Sequence, residues 1–384
     1  MSSIPISGLP GNGLRIALVG PLPPSSGGMA NQTVQLAKLL RNEGIEVELV
    51  QVNRPYHPWV VSLKGLRAVF RLVPYLRHLS HACGKADLVH IMANSGWSWH
   101  LFAAPAIWIA HLRGTPVIVN YRGGEASSFF AKAFAWVKPS LDRVNMIIVP
   151  SGFLEAIFKK RGFIPEIVPN IIDFSRFFAA PAAADDKWTE SPHLLVARNL
   201  EKIYDNATAL QAFKLVRDAV PLARLTIAGS GPELAALQAL TRTLQLEDAV
   251  TFTGRVNNQD MPQLYRNADI MLNPTLADNM PISILEALAS GIPVVSTDVG
   301  GIPYLVQHEQ TALLVAVGNP HAMADAVLSL LQHPDKAARL RQAGVELVSN
   351  YTWPHVRKRL LSVYAEVLAH KGCSLSHPPE GEPH

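Results

Sequence analysis

The sequence predicts an α/β protein in which two doubly wound, Rossmann-like domains face a central cleft. Three observations support this fold class. The chain has 384 residues, long enough for two domains that each bury a core. Short β-branched runs alternate with helical stretches in two separate series, as in βα units around a parallel sheet. Between the series, residues 179–190 lose this alternation and become rich in Ala, Pro and Asp, which is typical of a linker.

The first domain is predicted over residues 1–178 and the second over residues 191–352. The strands expected in the first are Arg15–Gly20, Val47–Val52, Asp87–Met92, Val117–Tyr121 and Met146–Pro150. Those expected in the second are His193–Ala197, Leu225–Gly229, Val250–Gly254, Ile270–Asn273 and Val294–Thr297. Ligands of such sheets bind outside the carboxyl ends of the strands, so we expect the chemistry in the loops that follow the strands.

The chain is expected to close with a helix and a tail. Helical spacing runs over Trp353–His370, inside a segment of residues 353–371, and the resemblance described below implies that this helix crosses back to the first domain. Residues 372–384 contain three prolines and are expected to be disordered.

Targeting signals and cysteines predict a cytoplasmic globular protein. Met1–Gly13 lacks a basic segment followed by an apolar core, so no secretory signal is predicted. The two cysteines, Cys83 and Cys373, cannot form a disulfide framework or a metal-ligand cluster. The most apolar run, Leu101–Ala110, is shorter than the ~20 residues that a helix needs to cross a bilayer.

Basic residues gather between Arg54 and His81, although the net charge of the chain is only +4. This basic segment includes Lys64, Arg67, Arg71 and Arg77. One interpretation is a surface that contacts an anionic membrane or an acidic acceptor, which would place the protein peripherally on the inner face of the membrane. The other interpretation is a solvated helix face. Both interpretations stay open. A nucleic-acid partner is not expected, because no matching motif accompanies the charge.

The first strand ends in a glycine-containing turn that meets the start of a helix, with Gly27 and Gly28 at the junction. Paired glycines let backbone amides approach a phosphate, and a helix start favours an anion. A simple tight turn explains the same pattern, so this signal alone does not decide between a phosphate site and a turn.

A block of the second domain places two carboxyl groups after the strand Ile270–Asn273. Asp278 or Asn279 is expected to cap a helix that Pro281 starts. Glu286 then lies about one and a half turns into this helix, where its carboxylate can accept two hydrogen bonds from a sugar diol. The alternative is that Asp278 is only a cap and Glu286 only a solvated helix residue.

Cations and glycines follow other strands of the second domain. Arg198 and Lys202 come after its first strand, and two cations beside a cleft suit a diphosphate. Isolated surface cations are common, so this signal depends on its neighbours. Gly229–Glu233 and Gly254–Val256 add flexible backbone at the same edge of the sheet.

Five blocks of the sequence carry a family resemblance that covers nearly the whole chain. They are Gly27-Gly28, Pro169–Asp173, Val196–Lys202, Gly229–Glu233 and Asp278–Glu286 with its Ala-rich Gly-Ile-Pro-Val-Val continuation. The last block, with two acidic residues separated by seven, is the most specific. In these blocks the chain resembles the retaining glycosyltransferases of family 4, which have the GT-B architecture.

The resemblance implies a role for each site residue. Glu286 is expected to hold the ribose hydroxyls of a nucleotide-diphosphate sugar donor, and Arg198 and Lys202 to neutralise its diphosphate. Further donor contacts are implied for Gly27, Gly28, Gly229, Val256, Asn279, Met280, Pro281 and Ile282. The implied acceptor is a glycan or lipid-linked molecule, and the sugar is transferred with retention of configuration. No cofactor is implied, and no metal is expected because no Asp-x-Asp motif lies near these blocks.

The chain departs from the family pattern at several positions. Asp278 stands where the family commonly has Glu, and Asn279–Pro281 replaces a glycine-aromatic-glycine run. The spacing from Arg198 to Lys202 is one residue shorter than usual. After the fourth strand, Arg122 stands where many relatives have histidine; a guanidinium cannot act as a base, but it can bind sugar hydroxyls or phosphate. The catalytic residues expected from this reading are Arg122, Asp278, Arg198 and Lys202.

Two other functions use the same features. A nucleotide-sugar epimerase of the same shape would convert the donor without an acceptor, and a non-catalytic donor-binding module would regulate a partner. The product separates the three: transfer to an acceptor, an isomerised donor, or binding with no turnover.

Overall fold

The computed structural model describes residues 13–23, 28–55, 67–178 and 191–370, and within them lie two six-stranded parallel sheets. The strands of the first sheet are β1 Arg15–Gly20, β2 Glu46–Gln51, β3 Leu88–Ala93, β4 Val117–Tyr121, β5 Met146–Val149 and β6 Glu166–Ile167. Those of the second are β7 His193–Ala197, β8 Arg224–Ala228, β9 Val250–Gly254, β10 Ile270–Asn273, β11 Val294–Thr297 and β12 Leu313–Val315.

The strand orders confirm the predicted fold class of two doubly wound domains. The first sheet has the order β2-β1-β3-β4-β5-β6 and the second has the order β12-β11-β10-β7-β8-β9. All ten predicted strands are present, with bounds within one residue of the prediction. Strands β3 and β4 are buried along their whole length, because helices cover both faces of a parallel sheet. The short strands β6 and β12 were not predicted.

Helices cover both faces of each sheet. In the first domain they are α1 Gly28–Asn42, α2 Arg67–Lys85, α3 Ala104–Leu112, which continues a π-helical turn at Trp99–Ala103, α4 Ala126–Leu141 and α5 Gly152–Lys159. In the second they are α6 Asn206–Ala219, α7 Leu234–Thr243, α8 Met261–Arg266, α9 Ile282–Ala289, α10 Pro320–Gln332 and α11 Pro334–Ser349. The last helix is α12 Trp353–His370.

The first sheet separates two apolar cores. Helices α2 to α5 pack on one face, and α1 packs on the other. Helix α12 joins α1 there, where Leu360 and Val363 pack with Ile16 and Leu18, although it follows the second domain in the sequence. The predicted linker at 179–190 and the predicted tail at 372–384 lie outside the described residues.

The carboxyl edges of the two sheets meet at a cleft. A Cβ atom added to Gly28, the first residue of α1, would lie 3.4 Å from the side chain of Ile282, the first residue of α9. The side chain of Asn170, after β6, donates from Nδ2 to the carbonyl of Met280 at 2.8 Å. The loops after β1, β6 and β10 therefore form one site.

Candidate functional site

The loop between β10 and α9 corrects one sequence prediction. Neither Asp278 nor Asn279 caps α9; the N-cap residue is Pro281, with an extended backbone (φ −64°, ψ 121°) and no side-chain cap bond. A proline is tolerated there because the first amides of a helix have no partner within it. The amides of Ile282 and Ser283 in the first turn stay available to an anion.

Asp278 instead forms an ion pair with Arg198. Arg198 Nη2 contacts Asp278 Oδ2, and the side chains of Arg198 and Asp278 are only 10% and 17% exposed, respectively. Arg198 also donates from Nη1 to the Ser283 hydroxyl at 3.3 Å, and its guanidinium lies 4.1 Å from the ring centre of Tyr204. The Arg198 cation is thereby fixed at the amino end of α9.

Two glycines let backbone approach this ion pair closely. A Cβ at Gly229 would lie 1.9 Å from the Arg198 carbonyl oxygen, and one at Gly300 would lie 2.2 Å from that of Asp278. Gly300 also has a φ of +60°, which disfavours other residues. The sequence analysis placed Gly229 among the donor contacts. In the structure, the lack of a side chain at Gly229 lets its backbone lie against the loop that carries Arg198.

Glu286 lies half-buried on α9, so the alternative that it is a solvated helix residue is wrong. The Tyr265 hydroxyl donates to its Oε2 atom at 3.0 Å. Burial raises the pKa of Glu286 to about 7, against the opposing effects of the Tyr265 hydrogen bond and the Arg176 charge. This carboxyl group therefore titrates near neutral pH and can accept hydrogen bonds when ionised.

On the opposite side of the cleft, Arg122 follows β4 and donates to two amide oxygens. Its Nε donates to Asn120 Oδ1 at 3.0 Å, and its Nη1 donates to Asn170 Oδ1. Burial lowers its pKa to about 10, so it stays a cation at neutral pH. Asn170 also donates to the Met280 carbonyl, so the side chain of Asn170 connects Arg122 to the loop before α9.

The same hydrogen-bonded chain continues behind Arg122 to the last helix. Asn120 Nδ2 lies 3.1 Å from His90 Nε2, and His90 Nδ1 lies 2.8 Å from the Tyr364 hydroxyl on α12. Since Asn120 Oδ1 accepts from Arg122, its amide group donates to His90, whose proton then lies on Nδ1. Burial, and secondarily the Arg122 charge, lowers the His90 pKa to about 3, so this histidine is neutral.

The remaining predicted residues lie around this core of the site. Lys202 is exposed on a 3₁₀ turn, Lys202–Tyr204, and Val256 is half-buried after β9. Asn279 and Met280 are buried, and the Asn279 side chain contacts the Ser151 hydroxyl from the first domain. Gly27 lies outside the described residues.

Several residues of the site were missed by sequence reasoning. Asn170 belonged to a block that resembles the family but received no role. Tyr265, Ser283 and Tyr204 carry no local signal, because only the fold brings them to Glu286 and Arg198. Among the residues that the structure describes, no three His, Cys, Asp or Glu side chains form a group that could hold a metal ion.

Two protein-family models match the chain, one in each domain. Residues 26–176 match the model described as glycosyltransferase family 4, and residues 191–333 match the model described as glycosyl transferases group 1. Together they cover every strand of the two sheets except β1.

Individual relatives and a solved structure are similar to the chain. A GDP-mannose-dependent alpha-(1-6)-phosphatidylinositol monomannoside mannosyltransferase of Mycobacterium tuberculosis is 32% identical over 51% of this chain. The matched segment spans about half (54%) of the length of that relative. A phosphatidyl-myo-inositol mannosyltransferase of Mycobacterium leprae is 24% identical over 89% of this chain and 93% of its own length. A sucrose-phosphate synthase structure from Thermosynechococcus elongatus superposes with a TM-score of 0.74 at 20% identity, covering 93% of this chain and 99% of that one.

Proposed function

The chain belongs to glycosyltransferase family 4, and from this premise we propose that it transfers a sugar from a nucleotide-diphosphate sugar to a hydroxyl group of a glycan or lipid-linked acceptor. We further propose that the transferred sugar keeps its anomeric configuration. The residues of the second domain bind the donor, and the loops of the first domain receive the acceptor.

One observation carries the proposal: the Arg198 guanidinium is held at the amino end of α9 through Ser283. The positive end of the helix and a cation then favour an anion at the same place. A diphosphate carries the charge that this position stabilises, and stabilising it as it departs from the sugar lowers the barrier to transfer. Glu286, one turn further along α9, is placed to accept hydrogen bonds from the ribose diol of the same nucleotide.

Arg198 supplies, in this proposal, the positive charge that a metal ion supplies in other transferases. Transfer should therefore continue in the presence of EDTA. Arg122 adds a second cation from the first domain, and its N–H groups other than those donated to Asn120 and Asn170 can bind sugar hydroxyls or phosphate. Loss of activity on chelation, with recovery on adding manganese, would contradict this part of the proposal.

The names of the two mycobacterial relatives make GDP-mannose the first donor to test and a lipid-linked hydroxyl the first acceptor class. UDP-glucose is the matched donor with the other base. In the basic segment, Arg77 and His81 are exposed, whereas His78 lies between Arg54 and Glu48. Lys64 lies outside the described residues. The exposed members are available to anionic headgroups near a lipid-linked acceptor.

Glu286 provides the sharpest binding test. A charge-assisted hydrogen bond contributes ~1.5–3 kcal/mol, so Glu286→Gln should raise the dissociation constant of the preferred nucleoside diphosphate about tenfold or more. Calorimetric titration with the ribose nucleotide and its 2′-deoxy analogue measures the discrimination. The wild type should prefer the ribose form and the variant should lose most of that preference, while Glu247→Gln, at an exposed site of the second domain, should keep it.

Product analysis tests the reaction itself. Nuclear magnetic resonance of the product should show transfer to the acceptor with the anomeric configuration of the donor. An isomerised donor without transfer would indicate an epimerase, and binding without any turnover would indicate a regulatory module. An inverted product would leave the transferase class standing and remove the claim of retention.

A further inference from the structure

Three helices on one face of the first domain contain no acidic residue. The sequences of α2, α3 and α4 have six Lys or Arg residues and no Asp or Glu, although the whole chain has 34 basic and 30 acidic residues. All three helices pack on the same face of the sheet, so their outer sides form one surface. We call this surface the α2–α4 face. Acidic neighbours pair with two of its residues, Glu48 with His78 and Asp142 with Lys138, but Lys and Arg residues are in excess.

Large apolar side chains project from the α2–α4 face into solvent. Trp136 on α4 is 80% exposed, and Leu112 and Trp108 on α3 are 79% and 38% exposed. Trp108 Nε1 donates to the Ser140 hydroxyl at 3.0 Å, which joins α3 to α4 one turn after Trp136. Leu112 lies one turn after Trp108 on the same side of α3. The three side chains therefore form a contiguous apolar patch.

Cations lie beside the apolar patch. The Arg143 guanidinium lies 3.8 Å from the ring centre of Trp108, and Arg113 donates from Nη2 to the Ser80 hydroxyl on α2 at 2.8 Å. This second contact extends the basic rim to α2, where Arg77 is exposed. Tryptophan rings with a rim of cations suit the interface of an anionic bilayer, where the rings enter the headgroup region and the cations meet phosphate.

We propose that the α2–α4 face docks on an anionic lipid bilayer, with Trp136, Leu112 and Trp108 entering the interface. The apolar anchors lie on α3 and α4 and are distinct from the basic segment at Arg54–His81. An excess of positive charge beside exposed tryptophan rings favours an anionic lipid surface as the occupant. The proposal does not depend on the transfer reaction, since it concerns only attachment to the bilayer.

Vesicle sedimentation tests the docking directly. The wild type should bind vesicles containing phosphatidylglycerol and phosphatidylcholine, bind pure phosphatidylcholine vesicles weakly, and lose affinity as salt rises. Trp136→Ser with Leu112→Ser should reduce the partition coefficient at least about tenfold, because two exposed apolar anchors are removed. The matched control Leu222→Ser, at an exposed leucine of the second domain, should bind as the wild type does.

Two further measurements keep the test decisive. Brominated lipids should quench tryptophan fluorescence in the wild type and quench it less in Trp136→Phe, which keeps an apolar ring at that position. Nucleoside diphosphate binding should be unchanged in all variants, which shows that they fold and keeps this test separate from the proposed function. Equal vesicle binding by the wild type and the double variant would overturn the proposal. So would the absence of wild-type binding to the vesicles that contain phosphatidylglycerol; a dimer that the double variant dissociates in sedimentation velocity would then identify this face as an interface between two copies of the chain.

Discussion

The two edges of the cleft each hold one partly buried arginine, but the two cations have different partners. Arg198, on the second domain, is paired with the Asp278 carboxylate. Arg122, on the first domain, donates to the amide oxygens of Asn120 and Asn170. One cation is neutralised by a neighbour of opposite charge, and the other is only solvated by neutral dipoles.

This difference indicates how the cleft can bind an anion. A diphosphate that meets Arg198 competes with a carboxylate already in place, so the gain in affinity is reduced by the cost of separating that pair. A phosphate or sugar that binds Arg122 contacts a cation whose hydrogen-bonding partners carry no negative charge. Burial already disfavours the charged form of Arg122, as its lowered pKa shows. The predictions below change the partner of each arginine in turn.

The largest effect is expected from Arg198→Met. The substitution removes the cation and leaves the Asp278 carboxylate unpaired beside the diphosphate. Removing one group that stabilises charge in the transition state ordinarily lowers the rate about a hundredfold to a thousandfold, so the rate of sugar transfer should fall by about a hundredfold or more. Steady-state kinetics measure the fall.

Adding Asp278→Asn to Arg198→Met provides the control for that interpretation. The double variant should recover part of the lost nucleotide affinity, because the uncompensated carboxylate is gone. If calorimetry shows no recovery, repulsion by Asp278 is not the reason for the loss. The Arg198–Asp278 ion pair then does not determine the nucleotide affinity of this edge.

A smaller effect is expected from Asn170→Asp, which makes the first edge resemble the second by giving Arg122 a carboxylate partner. The new charge also faces the Met280 carbonyl, which now accepts from Asn170 at 2.8 Å. At an effective dielectric constant near 20, a unit charge about 8 Å away contributes ~2 kcal/mol, so donor affinity should fall about thirtyfold. Calorimetric titration with the nucleoside diphosphate measures it.

Asn145→Asp is the matched control, since it makes the same charge change at the opposite edge of the same sheet. Asn145 Oδ1 accepts from the Val117 amide at 2.8 Å, and an aspartate preserves that bond. Equal losses in the Asn145 and Asn170 variants would show that net charge, and not the partner of Arg122, sets the affinity.

A moderate, pH-dependent effect is expected from Glu286, whose pKa of about 7 comes mainly from burial. If the ribose needs the ionised carboxylate, donor affinity should rise about tenfold from pH 6 to pH 8. The terminal phosphate also ionises near pH 6, so the comparison is with Glu286→Gln, in which only the phosphate contribution should remain. Identical pH profiles in the two proteins would remove Glu286 from the binding site.

The same pKa has a consequence for stability with a definite sign. The folded chain binds this proton more tightly than the unfolded chain, so the contribution of Glu286 to stability is complete below pH ~4.5 and is lost as the pH rises through ~7. Thermal unfolding without nucleotide should show this loss in the wild type, and Glu286→Gln should not show it.

Local sequence patterns predicted the two sheets and failed where long-range contacts decide. Buried parallel strands are apolar runs, so ten of the twelve were readable, whereas Glu166–Ile167 and Leu313–Val315 are too short to form a pattern. Asp278 was expected to cap a helix that starts close by in the sequence. Its actual partner, Arg198, is 80 residues away, and no local pattern predicts that choice.

The first edge of the cleft shows the same limit more strongly. Arg122 was predicted as a site residue from its position after β4, and the structure brings it to the cleft. Its contact with Asn170 spans 48 residues, and the chain behind it ends in a contact between His90 and Tyr364 that spans 274 residues. A neutral buried histidine that helps to orient an arginine was therefore outside the reach of sequence reasoning.

The smallest effect is expected from Lys202→Met, and it decides whether the second edge has one functional cation or two. Lys202 is exposed, and an exposed charge contributes only ~0.2–1 kcal/mol, so the affinity for nucleoside diphosphate should fall about threefold and the loss should shrink in high salt. Lys214→Met, which removes an equal charge from the pair with Asp218 on α6, should leave the affinity unchanged. If Lys202→Met instead matches Arg198→Met in its effect, the lysine must move onto the diphosphate when the donor binds. The second-domain edge would then gain Lys202 as a cation without a carboxylate partner. The difference between Arg198 and Arg122 would no longer describe the cleft with donor bound.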